Sequence, residues 1–228
     1  MFSVIFEVHP KPEQWDQYLA NAKMLRSELE QVDGFVDNIR YKSLTRERWI
    51  LSLSNWRDEK SVVRWRTSAR HHEVQEKGRN QILLDYHLRV GQVTRDTHIP
   101  EGYELVEQRI DETEKGLGTT VTLLTVKGPG DWQKNPPAED IAGWFGLRLD
   151  ANDLVSWDVF ETVLIPSDFI LLITWRDASA AEAFAVRRQL ESNARYRNVR
   201  IVRDYGMFDR YEAPQYYPEV LKESVSKI

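Results

Sequence analysis

The sequence predicts an α+β protein made of two copies of one βαββαβ unit, packed sheet against sheet into a barrel-like pair. The first observation is self-similarity: Trp56-Arg57-Asp58 recurs as Trp175-Arg176-Asp177 and Asp85-Tyr86 as Asp204-Tyr205, at one ungapped offset of 119 residues. The second is that apolar positions follow the same offset, with Tyr41 on Phe160, Leu53 on Leu172 and Trp65 on Phe184. The third is that each copy alternates period-2 apolar runs with helical spacing in the order strand, helix, strand, strand, helix, strand, which is the ferredoxin-like order.

In the first unit, residues 2–8 read as a strand closed by Pro10 and Pro12. Tyr18, Ala22, Leu25 and Leu29 then place one apolar face on a helix over 13–31. Gly34 punctuates before a strand pair over 35–43 and 48–56. Asp58 is placed to cap a helical region that ends at Gly78. A last strand over 82–93 alternates Leu84, Tyr86, Leu88 and Val90 with Asp85, His87 and Arg89.

The second unit repeats the pattern, with strands near 119–127, 154–163, 168–175 and 199–209 and helices near 138–149 and 178–193. The units then span 1–97 and 119–212. A connector over 98–118 carries a possible extra strand at 103–107, and 213–228 forms a polar C-terminal tail. A four-stranded sheet with helices on one side leaves its other face uncovered, and a second unit covers it. The sequence leaves open whether that pairing is internal to one chain or occurs between chains as a homodimer.

Composition narrows the chemistry. Across 228 residues the net charge is −5 without a basic cluster, which argues against nucleic acid or an acidic membrane surface as partner. No window reaches the roughly 18 apolar residues of a spanning helix. The opening run MFSVIFEVHP reads as a strand and not as a leader, so a cytoplasmic location is expected. The absence of cysteine removes disulfides, thiolate nucleophiles and Cys-type metal sites. Walker A, GxGxxG, HExxH and GxSxG patterns are missing, which leaves His, Arg, Gln and aromatic side chains as candidates.

His71 and Gln75 stand four apart on one helix face, where a neutral imidazole can serve as general base and the amide can hold it or a ligand. The alternative is an exposed polar face, for which Arg70, His72 and Glu73 speak. Trp65 reads either as the wall of a cleft for a planar ligand or as core, since Phe184 replaces it in the second unit. Arg89 reads as an oxyanion holder or as half of a salt bridge. Tyr86 recurs as Tyr205, which favours a structural role. His71, Gln75 and Arg89 become Leu190, Ala194 and Phe208, and all five histidines precede residue 99, so chemistry is expected in the first unit.

Val4-Ile5-Phe6, Gly34-Phe35, Trp56, Trp65, His71, Gln75, Gly78-Arg79, Tyr86 and Arg89-Val90, in that order, resemble the antibiotic biosynthesis monooxygenase family of dimeric α/β barrels. The resemblance covers about 95 residues of the first unit, and the second joins it through the repeat. It implies a cleft between helices and sheet, and an oxygenase working without bound cofactor on a small aromatic or polyketide-like molecule. In that reading His71 and Arg89 are catalytic, while Trp65, Gln75 and Tyr86 bind substrate. A non-catalytic ligand-binding barrel is the alternative. Haem degradation is a further one, against which Gln75 counts because it occupies the position of the axial histidine in haem-degrading members.

Overall fold

The computed structural model describes residues 1–128, 136–164, 168–187 and 194–214. Eight strands, β1 (Phe2–Pro10), β2 (Phe35–Ser43), β3 (Ile50–Trp56), β4 (Leu83–Asp96), β5 (Thr120–Lys127), β6 (Leu154–Thr162), β7 (Asp168–Trp175) and β8 (Arg195–Gly206), close into one barrel. Around the barrel they run β1-β3-β2-β6-β7-β5-β8-β4 and back to β1, with antiparallel neighbours throughout. Each half of the chain thus supplies four adjacent strands. The halves meet at two seams, one long between β4 and β8 and one short between β2 and β6.

Closure buries both faces of the strands, so the period-2 alternation sorts side chains into lumen and outer layer. Ile5, Tyr41, Leu53, Leu123, Phe160 and Ile201 belong to one buried cluster inside the barrel. On the outer side of the first half lie α1 (Trp15–Leu29), α2 (Glu59–Arg66) and α3 (Ala69–Lys77), and on that of the second lie α4 (Ala138–Trp144) and α5 (Ala178–Arg187). Helix α1 follows a 3₁₀ turn that begins at Pro12, where a missing N–H costs nothing. The Asp58 carboxylate accepts from the Ser61 amide at 2.8 Å and starts α2 as expected.

Some expectations are corrected. The helical region after Asp58 is divided at Thr67-Ser68 into α2 and α3, and a π turn over Gly78–Ile82 leads into β4. The connector forms no strand at 103–107; Tyr103 and Leu105 instead pack against the lumen cluster, covering apolar surface at one end of the barrel. Strand β8 starts at Arg195, earlier than expected, because residues 195–200 pair with β5 on one edge while residues from 197 onward pair with β4 on the other. Helix α4 stops at Trp144, with Gly146 at φ +76 turning the chain away. Residues 188–193 of the second expected helix, which include Leu190, and 215–228 of the tail lie outside the described residues.

The long seam depends on a glycine. A Cβ on Gly91 would stand 2.5 Å from both the Arg200 carbonyl oxygen and Val199 Cγ1 across β8. Gly91→Ala is expected to lower stability by about 1–3 kcal/mol as β4 and β8 are forced apart, read as a lower urea midpoint. An unchanged midpoint would show that the strands do not approach so closely.

Candidate active site in a helix-covered cavity

Between α1, α2 and α3 and the outer face of β4-β1-β3-β2 lies a cavity of about 230 Å³. Its floor follows from strand register. One row across the four strands is Leu88, Phe6, Ser52 and Arg40, and the next is Val90, Val4, Ser54 and Asn38. The floor is therefore apolar under β4 and β1 and polar under β3 and β2. Leu25 and Leu29 of α1 and Val62 and Val74 of α2 and α3 supply apolar walls.

Trp65, His71, Gln75 and Tyr86 all line this cavity, so four of the five expected site residues converge. Trp65 at the end of α2 stacks on His71 near the start of α3, with ring centroids 4.4 Å apart and planes at 17°. The aromatic partner that Trp65 holds here is the imidazole itself. The His71 Nδ1 lies 3.2 Å from the Trp65 carbonyl oxygen, which can only accept, so Nδ1 carries the proton. His71 Nε2 is then the basic nitrogen, and it lies 3.4 Å from the Gln75 amide nitrogen, the donor side of that contact. Burial pushes the His71 pKa down to about 4 against the opposing pull of the Trp65 carbonyl, and the nearby His72 lowers it further. At neutral pH the ring is uncharged, and its Nε2 lone pair is met by the long Gln75 contact, which a substrate proton can displace.

Tyr86, on β4, forms a second polar centre. Its hydroxyl accepts from Arg79 Nη1 at 3.1 Å and also from Arg210 Nη1. Arg79, 4% exposed in the π turn, donates in addition to the Met207 carbonyl at 2.9 Å. Tyr205 packs in the same cluster, its phenol pushed up to about 12 by burial and by its neighbour Tyr86. Tyr205 and Arg210 come from the second half of the chain, carried over by the far end of β8.

Arg89 does not join this group. It sits between Leu88 and Val90 on β4, so its side chain enters the lumen, where it donates to Glu7 at 2.5 Å and to Thr174 Oγ1 at 2.7 Å. Burial raises the Glu7 carboxyl, but Arg89 and Arg46 together hold it below the usual carboxylate range. Of the two sequence readings of Arg89, the salt bridge is the one formed, and the expected convergence with Trp65 and His71 is absent.

In the second half the space under the helices is packed with Phe145, Ile141 and Phe184, the last at 7% exposed in the position of Trp65. Among the described residues no three His, Asp or Glu side chains are grouped to hold a metal ion, and no helix is long and apolar enough to cross a membrane. Arg40 and Arg210 line the cavity without being among the residues expected from sequence, and Arg79 enters there only as part of the ordered motif. Arg40 was open to discovery from the alternation of β2, which sets it on the same face as Asn38.

A family model described as antibiotic biosynthesis monooxygenase matches residues 1–77. A protein of Pyricularia oryzae named "Jasmonate monooxygenase ABM" is 47% identical over 221 residues, covering 96% of this chain and 99% of that one. Among solved structures, a conserved protein from Methanosarcina mazei Go1 is 24% identical over 32% of this chain and 73% of its own, with a TM-score of 0.31. An anthrone oxidase-like protein is 11% identical over 94% of this chain and 96% of its own, with a TM-score of 0.33.

The depressed His71 pKa has a consequence for stability. The unfolded chain binds a proton at this histidine near its ordinary value of 6.5, whereas the folded chain binds it only near 4. Stability is therefore full above pH 6.5 and is lost as pH falls toward 4, the loss relative to neutral pH being about 2.5 kcal/mol at pH 4.5. The drop in melting temperature between pH 7 and pH 4.5 should be smaller in His71→Leu than in the parent protein; equal drops would show that the imidazole is not desolvated.

Proposed function

Because this chain belongs to the antibiotic biosynthesis monooxygenase family, we propose that the helix-covered cavity of its first half is the site of a cofactor-independent monooxygenation of a small aromatic or polyketide-like molecule. The observation that carries this reading is the pairing of two centres on one cavity whose floor is apolar under β4 and β1. One is a neutral His71 with Nε2 available, and the other is the Tyr86 hydroxyl flanked by Arg79 and Arg210. His71 takes a proton from an acidic O–H or C–H of the substrate. The negative charge that develops on a substrate oxygen is stabilised by Tyr86 and its guanidinium partners, the role that Arg89 cannot reach.

Without a bound reductant the substrate supplies all the electrons. A carbanionic carbon adds dioxygen and regains the proton from His71 to give a hydroperoxide, and loss of water leaves a carbonyl, so that an activated methylene plus O₂ becomes a ketone plus water. The low proton affinity of His71 makes the imidazolium costly until an oxyanion forms in the same cavity, which ties proton removal to the charge-stabilising centre. Gln75 at the position of the haem-ligating histidine, together with a 230 Å³ volume below the roughly 300–1,000 Å³ of drug-sized pockets, supports a small substrate and no resident cofactor. The name of the Pyricularia oryzae relative adds a small, largely apolar organic acid to the substrate candidates.

The strand orders β4-β1-β3-β2 and β8-β5-β7-β6 support the finer reading of the fold as two ferredoxin-like units, 1–97 and 119–212, joined by the 98–118 connector into an internal pseudo-dimer. Homodimers of this chain and a cytoplasmic location belong to the same proposal.

Oxygen uptake with a panel of dihydroxy-aromatics and activated methylenes tests the mechanism. His71→Ala is expected to slow uptake by about 10²–10⁴-fold. In the parent protein kcat/KM should fall as pH drops through about 4, because the base acts only when neutral. Equal uptake by the two proteins would remove His71 as the base and leave a ligand-binding barrel.

A further inference from the structure

The polar half of the cavity floor has no part in the proton transfer described above. The Leu88-Phe6-Ser52-Arg40 row crosses from apolar to cationic over three strand spacings, about 14 Å, and the Val90-Val4-Ser54-Asn38 row beside it crosses from apolar to amide. Five arginines (Arg26, Arg40, Arg66, Arg79 and Arg210) line the cavity, and no Asp or Glu is among the described residues that do so. Two of them are committed to Tyr86, Arg26 pairs with Glu30 at 2.7 Å, and Arg66 is engaged as well, with Tyr205 and Glu59 as its attractive neighbours. Arg40 differs. Its side chain meets the buried hydroxyl of Tyr18, and no carboxylate of the described residues lies within ion-pair distance of it.

A guanidinium facing a largely apolar cavity without a counter-ion leaves charge uncompensated, and a planar two-oxygen anion is the group that satisfies it with parallel hydrogen bonds. We propose that Arg40 anchors the carboxylate of a small amphipathic acid, whose apolar body lies over Phe6, Val4, Leu88 and Val90. The ligand is thereby oriented across the floor, with its charged end on β2 and its apolar end toward β4, where Tyr86 stands. This deepens the monooxygenase reading of the same site by naming the residue that selects an acid among its substrate candidates, and it rests on that reading only for the fate of the bound acid.

Calorimetric titration of the full chain at pH 7 with octanoate and with methyl octanoate tests it without turnover. The parent protein should bind the acid at least about ten times more tightly than the ester. Arg40→Met should abolish that preference while leaving ester affinity within about threefold, which also reports that the cavity is intact; Arg40→Lys should keep part of the preference. His71→Ala should keep all of it, so a protein that prefers the acid yet takes up no oxygen would sink the monooxygenase reading and leave this one standing. Equal binding of acid and ester, binding of neither, or an undiminished preference in Arg40→Met overturns the assignment.

Discussion

Closing eight strands into a barrel removes solvent from both faces of the sheet, and the rest of the structure follows from that constraint. A side chain's neighbours are decided by the parity of its position: even residues of β1 and β4 meet the helices, and odd ones meet the lumen. Leu88 and Val90 therefore border the cavity while Arg89 lies in the lumen, 3% exposed. A charge placed there must be matched. Glu7 takes Arg89 on one side and Arg46 on the other, and Arg46 reaches Asp158 at 2.7 Å on β6. This network ties β1 and β4 to strands of the second half. Removing one member of such a group costs about 3–5 kcal/mol, because its partner is left as an uncompensated buried charge.

The same constraint lets the two halves diverge. Both need a filled lumen, and both supply it with Ile, Leu, Val and aromatic side chains. Only the layer under the helices is free to change. In the second half it is filled by Phe145, Ile141 and Phe184. In the first half smaller and polar floor residues, Ser52, Ser54 and Asn38, leave room beneath Trp65 and His71. The second half still serves that site, since the end of β8 and the turn after it bring Tyr205 and Arg210 against Tyr86.

Much of this was legible from local periodicity. The 3.6-residue spacing puts His71 and Gln75 on one face, and the two-residue spacing puts Tyr86 and Arg89 on opposite faces, as in the folded protein. What periodicity could not tell was where each face would lie. The polar side of β4 looks as if it faces solvent or ligand until closure turns it inward to Glu7. Strand β2 inverts the usual pattern, sending Tyr41 to the lumen and Arg40 beneath α1, so an arginine occupies a face where apolar residues are expected. Arg210 lies 124 residues from Tyr86, and their meeting depends on β8 pairing with β4, a long-range fact with no local signal.

A crystal structure of the protein with octanoate bound decides whether the first-half cavity holds an acid on Arg40. The acyl chain should lie under Trp65 over Phe6 and Leu88, with both carboxylate oxygens on the Arg40 guanidinium and no ligand in the lumen. Octanoate seated at the mouth of the lumen beside Arg195 and Arg197, or lying in the first-half cavity with its carboxylate away from Arg40, would contradict it.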